Sequence, residues 1–301
     1  TFTDLAPEHN VRTRVHEYGG AAYTVADGVV VFSEFDDNRL LLKGSPEAAP
    51  TELVTDPALR FADMALDLVR DRVYAVMEDQ TESAIEARNL LVAVSLADGS
   101  ISELASGHDF YSDPQLSPDG AHVAFVTWDF PQMPWDGTDL WVAAIEADGS
   151  LGEPFHVARG PAESVIQPKW APDGSLVYVS DRNDWWNLYR WRLGASGSME
   201  VAPMEAEVGG PQWVFGLSEY DIDAERVAAL DVVVVDENDR LVAGQPAVAG
   251  PEPGQRVEFA AFEGVENHGR VLELGDIAIA QVVRCADGFA AAVDDLLVDE
   301  R

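Results

Sequence analysis

Apolar and polar residues alternate over short stretches of this chain, and turns rich in Pro, Asp and Gly separate these stretches. The pattern is clearest between residues 109 and 160, where apolar and aromatic residues alternate with others over 121–128 and favour a strand. The preceding Ser-Pro-Asp-Gly segment at 117–120 is typical of a turn. Strands are predicted at 114–116, 121–128, 139–145 and 154–158. Four short antiparallel strands in succession are the unit of a β-propeller blade.

This four-strand unit restarts along the chain at a spacing typical of propellers. The next copy begins near residue 163, and its Ala-Pro-Asp-Gly segment at 171–174 repeats the earlier turn. Further copies are predicted at 18–35, 61–77, 212–235 and 277–296, the last one truncated.

We therefore predict an all-β fold, a TolB-like β-propeller of four-stranded antiparallel blades. Six repeats lie in this chain, and seven are possible in the intact protein. Residues 1–301 are predicted to form one propeller domain. Residues 2–5 are expected to pair beside the incomplete final copy, which would remove exposed sheet edges.

Composition narrows the classes of function. Hydrophobic residues make up 47% of the chain, which is typical of a globular protein. A formal net charge of −35 repels phosphate, so no nucleic acid is expected as a partner, and no apolar run is long enough to imply a membrane. The single cysteine, Cys285, cannot form an internal disulfide, and no signal peptide is recognisable from Thr1 onward, so we expect a cytoplasmic location.

Several long motifs occur in the order seen in one family of peptidases. They are VRTRVHEYGG at 11–20, RFAD at 60–63, LASGHDFYSDPQLSPDG at 104–120, TWDFPQMPWDGTDLW at 127–141, VSDRNDWWNLY at 179–189 and GGPQWVFG at 209–216. Together they resemble the N-terminal propeller of prolyl-oligopeptidase-family serine peptidases, in the bacterial branch similar to dipeptidyl-aminopeptidases and acylaminoacyl-peptidases. The resemblance implies a parent enzyme that hydrolyses short peptides or acylated amino acids near their N-terminus. It also implies two partners for the propeller: a C-terminal α/β-hydrolase domain of the same polypeptide, whose cleft the propeller caps, and the peptide substrate.

The chain lacks the catalytic signature of that family. A Gly-x-Ser-x-Gly nucleophile elbow is absent. The segment at 194–198 has its second glycine one place too early and lies in a predicted strand-connecting turn. We therefore expect no catalytic residue in this chain and no α/β-hydrolase domain. No cofactor or metal is expected either, since the acidic run at 36–38 lacks the spacing of a calcium loop.

Two other functions fit a propeller. One is a stand-alone TolB-like module that binds a protein or ligand. The other is a lactonase-type hydrolase, which needs Glu, Asn and Asp side chains converging on a metal in the central channel. No such set occurs at matching inner-strand positions of this sequence.

Blade topology divides the loops between two faces. Loops between second and third strands share one face with the segments that enter the first strands, and the remaining turns share the other. The former carry aromatic and charged residues, whereas the latter are mostly Asp-Gly turns, so we predict that the former face recognises a substrate or partner. The candidate residues are His16, Glu17, Tyr18, Glu34, Asp129, Trp135, Asp136, Trp185 and Trp186.

Each candidate also has a structural interpretation. His16 fits a structural histidine bonded to a neighbouring loop, and the loop tryptophans fit side chains that cover a blade edge. Carboxylates occur everywhere in so acidic a chain, so chance alone places some on this face. Glu17 ranks first as a ligand for a substrate ammonium group, because the His-Glu-Tyr-Gly-Gly segment allows a tight turn that aims its carboxylate at the channel.

Overall fold

The computed structural model describes residues 4–222, apart from 84 and 161, and the strands at 227–235, 241–249 and 258–259. Its internal contacts divide the chain into two compact units, Thr1–Ala261 and Phe262–Arg301, and the described residues all lie in the first. The prediction of one propeller domain over residues 1–301 stays a prediction. No helix long and apolar enough to cross a membrane occurs among the described residues.

Twenty strands form five four-stranded antiparallel sheets in the described part of the chain. They are β1 (Tyr23–Ala26), β2 (Val29–Ser33), β3 (Leu40–Lys43), β4 (Thr51–Val54), β5 (Leu59–Asp67), β6 (Arg72–Asp79), β7 (Arg88–Ser95), β8 (Ile101–Ala105), β9 (Phe110–Leu116), β10 (His122–Trp128), β11 (Asp139–Ala144), β12 (Phe155–Ala158), β13 (Val165–Trp170), β14 (Leu176–Ser180), β15 (Asn187–Trp191), β16 (Met199–Glu200), β17 (Tyr220–Ile222), β18 (Val227–Val235), β19 (Leu241–Ala249) and β20 (Glu258–Phe259). Within each sheet the strands pair in chain order, which is the topology of a propeller blade. We number these sheets blades 1 to 5 along the chain.

The five blades correspond to the first five predicted copies, with two corrections at their first strands. In blade 1 the first strand begins at Tyr23 and not at residue 18, because Gly19, Gly20 and Ala21 have left-handed backbone. In blade 5 it covers only Tyr220–Ile222, since the segment before it pairs elsewhere. The predicted sixth copy at 277–296, and with it the pairing of residues 2–5, lies outside the described residues.

Apolar side chains fill the spaces between neighbouring blades. Between blades 1 and 2, Val31 and Leu40 pack with Phe61 and Val73, and all four are essentially inaccessible to solvent. A second cluster joins blades 3 and 4, and a third joins blades 4 and 5. Complete burial of one such side chain contributes about 1.5–3 kcal/mol. The side chains buried in these clusters are the apolar residues from which the strands were predicted.

Each of four blades has a left-handed residue at the same place in or just before its inner strand. These residues are Ala21, Asp63, Asp113 and Gln167. In blades 2, 3 and 4 the register of the first strand pair shifts at this point, which marks a bulge. The bulge changes the direction in which a polar side chain leaves the strand. The alternation of residues in the sequence did not predict this bulge.

The two groups of loops lie on separate faces, as the topology predicted. At one face the β10–β11 loop contacts the segment entering β9, with Asp129 Oδ1 accepting from Asp109 N at 2.7 Å. At the other, Arg72 Nη1 donates to Gly149 O at 3.1 Å, which joins turns of blades 2 and 3. We call these the lead-in face and the turn face.

Candidate recognition face

The His-Glu-Tyr-Gly-Gly segment forms a tight turn on the lead-in face. Glu17 N donates to Arg14 O at 2.8 Å, and Gly19 N donates to Val15 O at 3.0 Å. The backbone of His16 and Glu17 is left-handed (φ 55° and 64°). The predicted tight turn is thereby confirmed.

The following glycines join this turn to the segment that enters blade 5. Gly20 forms a parallel bridge with Phe215, and Phe215 N donates to Gly19 O at 3.0 Å. A Cβ atom on Gly20 would lie 2.4 Å from Phe215 O, too close for any side chain, and φ there is +97°. Glycine at this position therefore allows two distant segments of the lead-in face to meet.

His16 points its ring into an aromatic cluster. The ring centroid lies 5.0 Å from that of Phe110, 5.5 Å from that of Trp128 and 4.7 Å from that of Phe215. Burial lowers the pKa of His16 to about 3, with a smaller opposing effect from Asn89. The imidazole is therefore neutral at physiological pH, and its contacts are those of a packing residue.

Glu17 and Tyr18 extend from the turn into solvent. The Glu17 side chain is 78% exposed, and its Oε1 lies 3.5 Å from Arg60 Nη1. Arg60 also donates to Glu78 at 3.2 Å, and burial raises the pKa of Glu78 although the Arg60 charge opposes this. An exposed pair at 3.5 Å contributes little, about 0–1 kcal/mol, so the Glu17 carboxylate keeps the capacity to accept hydrogen bonds from a ligand.

Glu34 has a different environment from Glu17. Its side chain is only 6% exposed, and Oε2 lies 2.8 Å from His9 Nδ1. Its Oε1 accepts from Asn10 N at 3.1 Å. Both carboxylate oxygens therefore hold the N-terminal segment against blade 1.

Asp129 and Asp136 organise the β10–β11 loop. Asp129 Oδ2 lies 2.9 Å from His108 Nδ1, and Asp136 Oδ2 accepts from Met133 N at 2.9 Å. In the same loop, Phe130 is 81% exposed. The loop thus holds its own shape and presents an aromatic side chain to solvent.

The tryptophans fall into two groups. Trp135 packs against Trp213, with ring centroids 4.3 Å apart and planes inclined at 42°, and Trp213 is 59% exposed. Trp186 packs on the cluster between blades 4 and 5, where its backbone N donates to Glu207, and Trp185 N donates to Asn183 at 3.3 Å. The strand residues Trp128, Trp141 and Trp170 pack in apolar clusters.

Trp135 and the Asp-Gly turns lie on opposite faces, as predicted. Trp135 meets Trp213, two residues before Phe215, which contacts His16. The turn at 117–120 shares a groove with Pro172 and Asp173 of the next blade. That the nine candidate residues contact a substrate or partner stays a prediction.

The sequence reasoning missed a buried acidic pair between blades 2 and 3. Asp63 accepts from Asp113 N at 2.5 Å, and Asp113 Oδ2 accepts from Ser112 Oγ at 2.8 Å and from Gln212 Nε2 at 3.2 Å. Burial and the Asp113 charge raise the pKa of Asp63, and burial raises that of Asp113. These hydrogen bonds link the two inner strands and the segment before blade 5.

No group of three or more His, Cys, Asp or Glu side chains within the described ranges is arranged to hold a metal ion. The described part of the lead-in face carries exposed aromatic rings, the exposed Glu17 carboxylate and hydrogen-bonded loops.

Residues 12–206 match the family model described as the Lipoprotein LpqB beta-propeller domain. This match covers more than half of the chain, and the chain belongs to this family of β-propeller domains. No curated protein matches it.

Solved structures relate the chain to peptidases. It is 31% identical to puromycin hydrolase with a TM-score of 0.73, over 85% of this chain and 40% of that one. It is 32% identical to a puromycin-hydrolyzing peptidase from Mycobacterium tuberculosis with a TM-score of 0.67, over 84% of this chain and 47% of that one. The predicted resemblance to the propeller of prolyl-oligopeptidase-family peptidases is confirmed. The chain spans less than half the length of these relatives.

A putative TolB from Agrobacterium tumefaciens matches with a TM-score of 0.53 and 13% identity, over 83% of this chain and 88% of that one. At this identity the similarity shows a shared fold alone. The predicted TolB-like architecture is thus supported for the blades that the structure describes.

Proposed function

We propose that this chain is the non-catalytic propeller of a serine peptidase that cleaves short peptides or acylated amino acids near their N-terminus. Its partner is an α/β-hydrolase domain of the same polypeptide. The observation that carries this proposal is the 31–33% identity to puromycin hydrolase over most of this chain but only 40% of that enzyme. The cytoplasm is the compartment we propose.

The lead-in face is the side that we assign to the hydrolase domain. It presents exposed aromatic side chains at Tyr18, Phe130 and Trp213, which are suited to a domain interface. The turn face carries hydrogen-bonded Asp-Gly turns, such as the one in which Ser150 N donates to Asp148 Oδ1 at 2.9 Å. Docked in this way, the propeller caps the catalytic cleft, and only short peptides reach it.

Within this arrangement Glu17 supplies a substrate contact. Its exposed carboxylate extends from a hydrogen-bonded turn, and its contact with Arg60 is long, at 3.5 Å. A charge-assisted hydrogen bond to a substrate ammonium group is worth about 1.5–3 kcal/mol. The propeller therefore contributes to the choice of substrates with a free N-terminus.

Activity measurements test the proposal. The purified chain should leave aminoacyl, dipeptidyl and acyl-aminoacyl chromogenic substrates unchanged, and a serine-reactive phosphonate should not label it. The product of the gene read past Arg301 should hydrolyse at least one of these substrates and take the label. Labelling of Ser196 or another serine of the chain, or a longer product without a reactive serine, would contradict the proposal.

A further inference from the structure

Two arginines on the lead-in face share one aromatic ring. The guanidinium carbon of Arg12 lies 4.7 Å from the centroid of the Phe35 ring, and that of Arg14 lies 4.2 Å from it. Stacking on an aromatic face restrains a guanidinium while its N–H groups stay free to bind. Both arginine residues are exposed to solvent.

The backbone fixes this arrangement. Val11 pairs with Glu34 in an antiparallel bridge, and Phe35 N donates to Asn10 O at 2.9 Å. The segment that carries the arginines and the loop that carries the ring are therefore held in one register. Both guanidinium groups therefore lie beside the same ring, at 4.7 and 4.2 Å from its centroid.

These arginines have no carboxylate partner within the described part of the chain. This contrasts with six other described arginines, in a chain of 54 acidic and only 19 basic residues. Ion pairs are formed by Arg39, Arg60, Arg70, Arg88, Arg182 and Arg192.

Two carboxylates of the adjoining loop have other donors. Glu34 binds His9 and Asn10, and Asp37 binds Arg39 Nε at 2.7 Å. Arg12 and Arg14 thus place two positive charges beside one ring, and neither has a carboxylate partner among the described residues. Such a site is suited to an external anion.

We propose that Arg12 and Arg14 form a carboxylate-binding site that receives the C-terminal carboxylate of a short peptide. The planar guanidinium groups match a carboxylate with paired hydrogen bonds, and Phe35 holds them ready. Glu17, of opposite charge, extends from the same segment of the lead-in face. The assignment of the carboxylate to a peptide substrate rests on the proposed function.

Arginine side-chain NMR on the purified chain tests this site directly. Assigned Nε–Hε signals are followed during titration with N-acetyl-Ala-Ala, with its C-terminal amide and with acetate. We expect saturable shifts of the Arg12 and Arg14 signals with the free acid, and shifts with acetate only at higher concentration because acetate binds more weakly. The amide should leave both signals unchanged.

Variants give the matched comparison. Arg12→Gln and Arg14→Gln should each weaken binding of the free acid by about tenfold or more, because each removes charge-assisted hydrogen bonds. Phe35→Leu should weaken it less, since both charges remain. Arg192→Gln is the control, because Arg192 is an exposed arginine paired with Asp173 at 2.8 Å on the turn face. Backbone amide spectra verify that each variant is folded.

Equal shifts with acid and amide, acetate binding as tightly as the peptide, or unchanged affinity in both arginine variants would overturn the inference. The proposed peptidase function is tested independently of this inference. Peptide binding by this chain without hydrolysis by the longer gene product would contradict the proposed function alone, and hydrolysis without carboxylate binding would contradict this inference alone.

Discussion

Replacing Gly20 by alanine should loosen the lead-in face. Gly20 has φ +97°, and an added Cβ would lie 2.4 Å from Phe215 O and 2.8 Å from Phe215 N. Backbone atoms cannot yield as the end of a flexible side chain does, so the two segments must separate. Gly44→Ala is the matched control, because its Cβ would meet nothing within 4 Å and its φ is unstrained.

The magnitude follows from three quantified contributions and the steric contact. A left-handed conformation costs an alanine about 1–2 kcal/mol. Loss of the hydrogen bond from Phe215 N to Gly19 O costs about 0.5–1.5 kcal/mol more. The reduced entropy of the unfolded chain offsets about 0.4–1 kcal/mol. With the added steric contact, the free energy of unfolding should fall by about 2–3 kcal/mol, whereas Gly44→Ala should change it by less than about 0.5 kcal/mol.

Calorimetry and hydrogen exchange measure this effect. A loss of that size lowers the Tm by about 5–10 °C in a domain of a few hundred residues. Exchange should accelerate at 14–20 and 211–216 and stay unchanged on the turn face. Equal Tm values for Gly20→Ala and Gly44→Ala would refute the steric argument and the bridge on which it depends.

Two further changes test individual carboxylates. In the longer gene product, Glu17→Gln should reduce kcat/KM on a free-amine substrate by about tenfold for each ~1.4 kcal/mol of lost binding. The value of kcat/KM on the N-acetylated form of the same substrate should not change. An equal loss on both substrates would mean that Glu17 is structural. Burial and the Asp113 charge raise the pKa of Asp63 in the folded protein above its unfolded value of about 4. The free energy of unfolding should therefore fall as the pH rises from about 4 through the folded pKa. Asp63→Asn should flatten that part of the stability profile measured by urea unfolding, and an unchanged slope would contradict the raised pKa.

Alternation and turn chemistry were sufficient to predict the blades. Val123 and Phe125 pack in one apolar cluster and Ala124 and Val126 in another, and the Pro-Asp-Gly turns mark where strands reverse. Neighbouring blades then bury the apolar positions that the pattern indicates. The fold of the described residues followed from these local rules because each blade is a local unit.

The positions of individual side chains on the lead-in face depend on contacts between segments that are distant in the sequence. Residues 18–22 matched a strand pattern, but the bridge from Gly20 to Phe215 holds them outside the sheet. Glu34 is among the residues predicted to contact a substrate or partner, yet its carboxylate is nearly inaccessible and binds His9 and Asn10. The Asp63–Asp113 pair was missed because a polar residue in an alternating strand normally indicates a solvent-exposed side, whereas a bulge turns these inward.

Hydrogen exchange on the chain alone and on the longer gene product tests the central claim most directly. If the propeller caps a hydrolase domain through its lead-in face, the longer product should protect segments 16–20, 129–136 and 211–216. Exchange at the turns 117–120 and 171–174 should stay the same. Protection of the turn face with an unchanged lead-in face would contradict the account.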